Sequence, residues 1–266
     1  MVILAETSLL GKKLKIKTFP FKNKVCYNCF RGYMELVKSH WDKNDIPEFQ
    51  KYLLSLGKGR EKGEWEKRIV GTSLPCIAVP SKTVYNVVKE IAKGNFLEFV
   101  DLWPWDNFTN TTIVGKLICK IKDFEVMKKY LLKYSQKADN WASIDALKIK
   151  TKNKKGYFEF AKTLCSNPHT FSRRLGIIML FKNLDEKKMP ETFEIMDSFE
   201  KESEYYVNMA LAWLFCECFI KQRGKTLEYL KTNKLSKFVI NKGISKCRDS
   251  YRVSKEDKEL LLRYKK

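Results

Sequence analysis

Residues 83–94 read TVYNVVKEIAKG, and this stretch decides the fold class. Val84, Val87 and Ile91 recur at helical intervals, which places them on one face of an α-helix. Gly94 follows the last apolar residues, and glycine is common just past a helix C-terminus. The stretch therefore predicts an amphipathic helix, and the same pattern continues along the chain.

Similar helices are predicted from Met34 to the C-terminus. Asp123 and Ser254 are predicted to begin two of them as N-caps, and either Asn107 or Thr109 begins another. A loop is predicted over Gly57–Gly63. Only 12 glycines and 7 prolines occur, which is few for an all-β protein with many tight turns.

These helices predict the architecture. They recur in pairs about every 30–40 residues without a strict sequence repeat, which is typical of HEAT-like two-helix repeats. We therefore expect an all-α protein, an α-solenoid with a concave basic groove. Residues 34–266 are predicted to form this single domain.

The charge of the chain indicates its partner. Against 52 lysines and arginines stand 31 acidic residues, which gives a formal net charge of +21. A field of this size attracts polyanions, and nucleic acid is the first candidate.

The cysteines and the hydropathy bear on the compartment. The 8 cysteines are scattered, and several lie in apolar helical patterns, as buried free thiols in a reducing compartment do. No run is long and apolar enough to span a bilayer, and the N-terminus lacks a secretory signal. We expect a cytoplasmic protein without a membrane segment.

Residues 1–33 form a basic N-terminal extension that differs from the rest. No acidic residue occurs between Lys12 and Arg31. Either this is a basic arm that touches phosphates, or it is a poorly ordered leader, and the second interpretation is favoured. Cys26 and Cys29 have ligand-like spacing, but no second pair completes a zinc site, so no metal is predicted.

Trp141 and Asp145 are the first candidate site residues. On a helix they stand at i and i+4, so the indole and the carboxylate share one face. A core tryptophan and a surface aspartate are the alternative. The lysines that follow, including Lys148 and Lys150, surround this carboxylate with positive charge. An acid kept beside bound DNA is repelled by phosphate, which suggests that it faces a developing positive charge.

Two further stretches carry candidate residues. Arg173 and Arg174 precede an apolar helical run, so Arg174 lies on or beside the buried face. It either forms a structural salt bridge or grips a phosphate through its two-pronged guanidinium. Trp213 lies in an apolar helical stripe, which is explained either by core packing or by a second aromatic wall of a cleft.

Several spaced motifs together resemble one known family. They are NWASID at residues 140–145, Arg174 before an apolar helix, YYV at 205–207 leading into ALAW at 210–213, and the C-terminal order KTLEYL, NKG, RDSYRVS. On these motifs the chain resembles the AlkD-like DNA alkylation repair proteins, which are bacterial DNA glycosylases built from HEAT-like helical repeats.

The resemblance implies excision of N3- and N7-alkylated purines from double-stranded DNA, with no metal and no cofactor. It implies that the catalytic residues are Asp145, Trp141 and Trp213, and that Arg174 holds the DNA backbone. The other predicted DNA-binding residues are Arg173, Lys148, Lys150, Lys242 and Arg248.

The sequence also departs from the family and leaves rivals open. Met209 occupies a position where relatives often carry lysine, and the charged region from Gly57 to Gly71 is atypical. A non-catalytic DNA-binding member of the same architecture is one rival. A helical scaffold that binds an acidic protein is another. The protein is expected to be a monomer, since a groove that faces DNA needs no second subunit.

Overall fold

The computed structural model describes residues 34–103 and 105–266 of the chain. The predicted basic extension, with Cys26 and Cys29, lies outside these residues. Within the described part every regular element is helical, and no strand occurs there. The prediction of an all-α chain is confirmed, and the arrangement is consistent with an α-solenoid.

Fourteen α-helices are present in the described part, with a short 3-10 turn at Glu186–Lys188. The first seven are α1 Asp45–Leu56, α2 Arg60–Val70, α3 Ser81–Ile91, α4 Phe96–Leu102, α5 Phe108–Ile118, α6 Phe124–Lys137 and α7 Trp141–Asp145. The others are α8 Lys154–Cys165, α9 Thr170–Lys182, α10 Met189–Asp197, α11 Tyr205–Lys221, α12 Arg223–Thr232, α13 Lys237–Asp249 and α14 Lys255–Leu262.

Alternate helices of the C-terminal half form a row. Helix α7 packs on α9, α9 on α11, and α11 on α13. Helices α8, α12 and α14 pack on α9, α11 and α13 respectively. Helices α9 and α11 are apolar nearly all round, because each has neighbours on several sides. Side chains on the row helices can therefore meet although they lie far apart in sequence.

Side-chain caps begin several helices where the sequence predicts them. Asn107 accepts a hydrogen bond from the backbone N–H of Asn110 at 2.8 Å, which decides between the two candidates for this cap. Asp123 caps α6, and Ser254 caps α14 by accepting from the N–H of Asp257 at 3.1 Å. Each cap satisfies a backbone donor that the first helical turn leaves free.

The predicted loop over Gly57–Gly63 is wrong, because α2 begins at Arg60. Only Gly63 and Val70 of α2 are buried, so this helix lacks a buried apolar stripe such as that of α3. Gly63 lets the helix approach the next segment, and a Cβ there would lie 2.1 Å from the carbonyl oxygen of Cys76. The absence of a side chain at Gly63 therefore allows α2 to dock here, and the spacing of apolar residues in the sequence does not reveal this contact.

The six cysteines of the described part are free, and Cys165, Cys216, Cys218 and Cys247 are buried. Burial raises the pKa of the Cys165 thiol to about 12, as expected of an inert structural cysteine. None of the described helices has the length and apolar character needed to cross a membrane.

Gly176 of α9 packs so closely against α8 that replacing it is expected to reduce stability strongly. A Cβ on Gly176 would lie 2.6 Å from the carbonyl oxygen of Ala161 and 2.8 Å from the backbone nitrogen of Cys165. Backbone atoms cannot yield as a side chain can, so Gly176→Ala is expected to lower the free energy of unfolding by about 1–3 kcal/mol. Urea denaturation measures the loss.

Gly224 provides the control for that substitution. It lies in the first turn of α12, and nothing stands within 4 Å of an added Cβ. Gly224→Ala is expected to be neutral or to stabilise by about 0.5–1 kcal/mol, because alanine favours the helix. Equal effects of the two substitutions would contradict the packing described for α8 and α9.

Candidate functional site

The candidate site is built on the short helix α7. Asn140 is fully buried, and its side chain accepts a hydrogen bond from the N–H of Ser143 at 2.9 Å. This cap begins the helix at Trp141, and the helix ends at Asp145. The predicted i, i+4 relation between the two residues therefore holds, and both are half-buried.

Asp145 forms an ion pair with Arg174 of α9. The Nε of Arg174 donates to Oδ1 at 3.0 Å, and its Nη2 donates to Oδ2 at 2.7 Å. The Nη1 of the same guanidinium donates to the backbone carbonyl of Tyr206 on α11. Two-pronged pairs of this kind fix both distance and orientation. One arginine therefore joins three helices of the row, α7, α9 and α11.

Burial differs across the ion pair. The side chain of Arg174 is 4% exposed, whereas that of Asp145 is 15% exposed. The carboxylate therefore lies on the outer side of the pair, and the guanidinium lies behind it. All three nitrogen groups of Arg174 are bonded to protein atoms, so the salt-bridge alternative has observed partners. A phosphate could contact only the small part of the Arg174 side chain that is exposed.

Trp213 of α11 lies beside the same arginine. The Cζ of Arg174 is 5.8 Å from the centroid of the indole ring, and the Nζ of Lys246 is 4.6 Å from it. Phe181 meets the indole edge-to-face at 6.1 Å. Trp213 is half-buried and lines an open cleft of about 400 Å³. It thus serves both as core packing and as a wall of a cleft.

Trp141 makes a different contact. Its indole Nε1 donates to the backbone carbonyl of Ile69, near the C-terminus of α2, at 3.4 Å. The next turn of chain, at Gly71, lies so close to Tyr206 that a Cβ there would be 2.5 Å from the phenol oxygen. Gly71 has a φ of 67°, in the left-handed region that favours glycine. The end of α2 therefore borders the site.

The site residues predicted from sequence are thus brought together through specific partners. Asp145 shares α7 with Trp141, and Arg174 links Asp145 to Trp213. The arrangement matches the expected combination of aromatic, acidic and basic side chains. Their roles in chemistry and in DNA binding stay predictions.

Arg173 differs from the other predicted DNA-binding residues. Its Nε and Nη2 donate to the carboxylate of Glu202 at 2.7 and 3.2 Å, and its Nη1 donates to the carbonyls of Asn167 and Pro168. Its side chain is 16% exposed. These bonds hold the loop before α11 against the start of α9, so the observed contacts of Arg173 are structural.

The remaining predicted DNA-binding residues are exposed. Lys148 and Lys150 follow α7, and Lys242 and Arg248 lie on α13. Lys242 lies 5.9 Å from the ring centroid of Phe238, which is also exposed. These four side chains are free to meet a polyanion.

Two lysines that lie beside the candidate residues were not identified from the sequence. Lys246 follows Lys242 by one helical turn on α13, a spacing that could have revealed it. Lys182 donates to the carbonyls of Asp145 and Leu147, both at 3.1 Å, and so satisfies the end of α7. No local pattern identifies Lys182, because its partners lie 35 and 37 residues away.

Burial lowers the pKa of both lysines. Burial, helped by the neighbouring charges of Arg174 and Lys242, lowers the pKa of Lys246. Burial likewise lowers the pKa of Lys182, although the Asp145 carboxylate opposes this. Each ammonium therefore loses its proton at a lower pH than an ordinary lysine, and the site is less positive in alkaline solution.

No group of three or more metal-binding side chains lies together in the part of the chain that is described. Arg174 and Lys182 bond to the Asp145 carboxylate or to backbone carbonyls, and Lys246 lies over the ring of Trp213. The arrangement places the Asp145 carboxylate and the indole of Trp213 beside Arg174, the ammonium of Lys246 over that indole, and Trp141 on the same short helix as the carboxylate. Such a set can stabilise positive charge and bind phosphate.

Comparison with known proteins gives one match. A model of the family described as DNA alkylation repair enzyme matches residues 33–247. No curated protein and no solved structure matches the chain. The matched range contains α1 to α12 and most of α13, and with them Trp141, Asp145, Arg174 and Trp213.

Proposed function

The chain belongs to the DNA alkylation repair enzyme family, and on that premise we propose that it is a DNA glycosylase. Its substrates are double-stranded DNA molecules with cationic N3- or N7-alkylated purines. The observation that carries the proposal is the position of the Asp145 carboxylate. Arg174, which lies beside Trp213, holds this carboxylate through two hydrogen bonds. The protein acts as a monomer, since one chain supplies the whole site.

The chemistry of the lesion sets what the site has to do. An N3- or N7-alkylated purine carries a positive charge before the reaction. When its N-glycosidic bond breaks, the electron pair of the bond passes to the purine, which leaves as a neutral base. No acid is needed to protonate the leaving group. The positive charge appears instead on the deoxyribose, and catalysis consists of stabilising that charge.

Asp145 is suited to that task. Its carboxylate is the more exposed member of the ion pair, so its negative charge lies nearer to solvent than the positive charge of Arg174. Each oxygen accepts one bond from Arg174 and keeps a free lone-pair direction. We assign to Asp145 the stabilisation of the cationic sugar and the orientation of a water molecule. The oxygen of that water bonds to C1′, and the carboxylate accepts the proton that is released.

The two tryptophans have different environments and therefore different roles. Arg174 and Lys246 already place two positive charges over the ring of Trp213. A third cation on the same ring would be repelled, so Trp213 packs against the deoxyribose of a neighbouring nucleotide, which stays uncharged. The indole of Trp141, which no protein cation covers in the described contacts, offers its π surface to the cation.

The proposal is tested by incubating the protein with methylated double-stranded DNA and measuring free bases by chromatography and mass spectrometry. Release of 7-methylguanine and 3-methyladenine is expected. A non-catalytic DNA-binding protein would bind the duplex without releasing base. A scaffold for acidic proteins would bind duplex weakly and without a steep dependence on salt.

Lys246 provides a test of the DNA contact. We expect its ammonium to reach a phosphate beside the lesion, so Lys246→Met weakens duplex binding and reduces the log–log salt slope by about one. The difference from wild type is expected to shrink as pH rises, because the lowered pKa removes the charge of Lys246 before that of other lysines. Fluorescence anisotropy at several salt concentrations measures both effects.

Lys231→Met is the matched control for this variant. Lys231 lies on α12, is exposed, and pairs with Glu228 at 2.8 Å. Its loss is expected to leave the salt slope unchanged. An unchanged slope for Lys246→Met as well would remove Lys246 from the DNA interface.

A further inference from the structure

We propose that the outward face of α2, formed by Trp65, Ile69, Lys62 and Arg68 (the α2 face), is a second DNA-contacting surface beside the site. This proposal rests on the proposed function, because both take duplex DNA as the partner. None of these four residues is assigned by the sequence motifs that resemble the family.

The α2 face is apolar and exposed. The side chains of Trp65 and Ile69 are 60% and 54% exposed, and they stand one helical turn apart. Lys62 and Arg68 flank them on the same side and are exposed as well. Two exposed acidic residues, Glu61 and Glu64, lie on or at the edge of this side, and Glu64 stands one helical turn before Arg68. Two large apolar side chains left in water beside each other cost hydration free energy unless a partner covers them.

The opposite side of α2 is firmly docked. Gly63 packs against the backbone of Cys76, and the carboxylate of Glu66 accepts from the N–H of Ala78 at 3.0 Å. Glu66 is half-buried there, and burial raises its pKa. Trp65 and Ile69 are therefore exposed on a helix that is held in place.

The α2 face adjoins the candidate site. The carbonyl of Ile69 accepts from the indole of Trp141 at 3.4 Å. Two residues beyond Gly71, Ser73 donates through its backbone N–H to Asp139 at 2.6 Å, just before α7 begins. These contacts fix the distance between the α2 face and Trp141. DNA that places a lesion at Trp141 passes directly by Ile69.

Charge and shape favour duplex DNA as the occupant. Two exposed cations flank the apolar pair and two exposed carboxylates, Glu61 and Glu64, lie near them, so the attraction for a polyanion comes from the formal charge of +21 on the whole chain. Apolar side chains flanked by lysine and arginine are how proteins meet the sugar and base edges of a groove. Phosphates then pair with Lys62 and Arg68, while Trp65 and Ile69 lie against deoxyribose.

The test uses the double variant Trp65→Ala/Ile69→Ala in the full chain. Its affinity for unmodified duplex is expected to fall by about tenfold, as loss of one aromatic stacking contact does. Its salt slope is expected to stay unchanged, because apolar contacts release no counterions. The matched control is Tyr85→Ala on α3, which removes a 57% exposed aromatic side chain and is expected to leave affinity unchanged.

A second measurement locates the contact directly. Ile69→Cys places a thiol on the α2 face, and its rate of labelling by N-ethylmaleimide is read by peptide mass spectrometry. Duplex DNA is expected to slow this labelling by more than about fivefold, in line with burial of the side chain in the complex. Wild-type affinity of the double variant, or labelling unaffected by duplex, overturns the inference.

The two proposals fail separately. If the wild-type protein binds duplex but releases no alkylated base, the proposed function fails, while the α2 variants still report on binding. If base is released and the double variant binds as wild type does, the α2 inference alone fails. Protection of the Ile69→Cys thiol by an acidic polypeptide but not by duplex would assign the α2 face to a protein partner and overturn the inference.

Discussion

Replacing Asp145 by asparagine is expected to reduce release of 7-methylguanine from duplex DNA by roughly 100- to 1,000-fold. Asparagine keeps the shape of the side chain and one oxygen that can accept a hydrogen bond from Arg174, but it removes the negative charge. Affinity for unmodified duplex is expected to stay close to that of wild type, because the loss of a carboxylate does not weaken phosphate binding.

Asparagine is a better substitution here than alanine. Alanine would leave the guanidinium of Arg174, which is 4% exposed, without its ion-pair partner. The resulting loss of stability would be confused with a loss of catalysis. A thermal unfolding curve of Asp145→Asn, recorded beside the kinetic assay, shows whether the fold has been retained.

Glu217 provides the matched control for the charge. Its carboxylate lines the same cleft as Trp213 and forms a two-pronged pair with Arg252. Glu217→Gln is expected to change base release by less than about threefold, because this charge is tied to the cleft edge rather than to the site. A full rate in Asp145→Asn would remove Asp145 from the mechanism.

Replacing Arg174 by methionine is expected to give the largest loss of stability, about 3 kcal/mol. The substitution removes two hydrogen bonds to Asp145 and one to the carbonyl of Tyr206. These are the bonds by which Arg174 of α9 is joined to α7 and α11. Because Asp145 is 15% exposed, water relieves part of the cost, which places the loss at the lower end for a buried pair.

Urea denaturation measures that loss, and Arg252→Met is its control. The side chain of Arg252 is 58% exposed, so its pair with Glu217 is expected to contribute about 0–1 kcal/mol. Base release by Arg174→Met is expected to fall in kcat more than in KM, because the arginine positions Asp145. Partial recovery in Arg174→Lys would agree with that role. A loss of stability below about 1 kcal/mol in Arg174→Met would contradict the buried ion pair.

The helices were largely predictable because their signals are local. The apolar spacing that predicts α3 lies within one helix, and the caps at Asp123 and Ser254 need only the following turn. Helix α2 was not predictable, since its docking depends on the backbone of Cys76 rather than on a buried stripe. Tertiary contact overrides local propensity in such a segment.

The candidate residues could be named from the sequence, but their partners could not. The spacing of Trp141 and Asp145 follows from one helical turn. The bonds from Arg174 to Asp145 span 29 residues, and the indole of Trp141 reaches a carbonyl 72 residues earlier. Pairings over such distances depend on how the helices pack, and a single sequence carries no signal for them. Arg174, for which the sequence leaves a salt bridge and a phosphate contact open, forms the salt bridge with Asp145.

The most direct test of the account is single-turnover base release from a duplex that carries one 7-methylguanine, with the wild-type protein in excess. The account predicts first-order release of free 7-methylguanine, with an equal amount of abasic site, far above the spontaneous rate of depurination. Duplex bound at saturation, with base released only at the spontaneous rate, would contradict it.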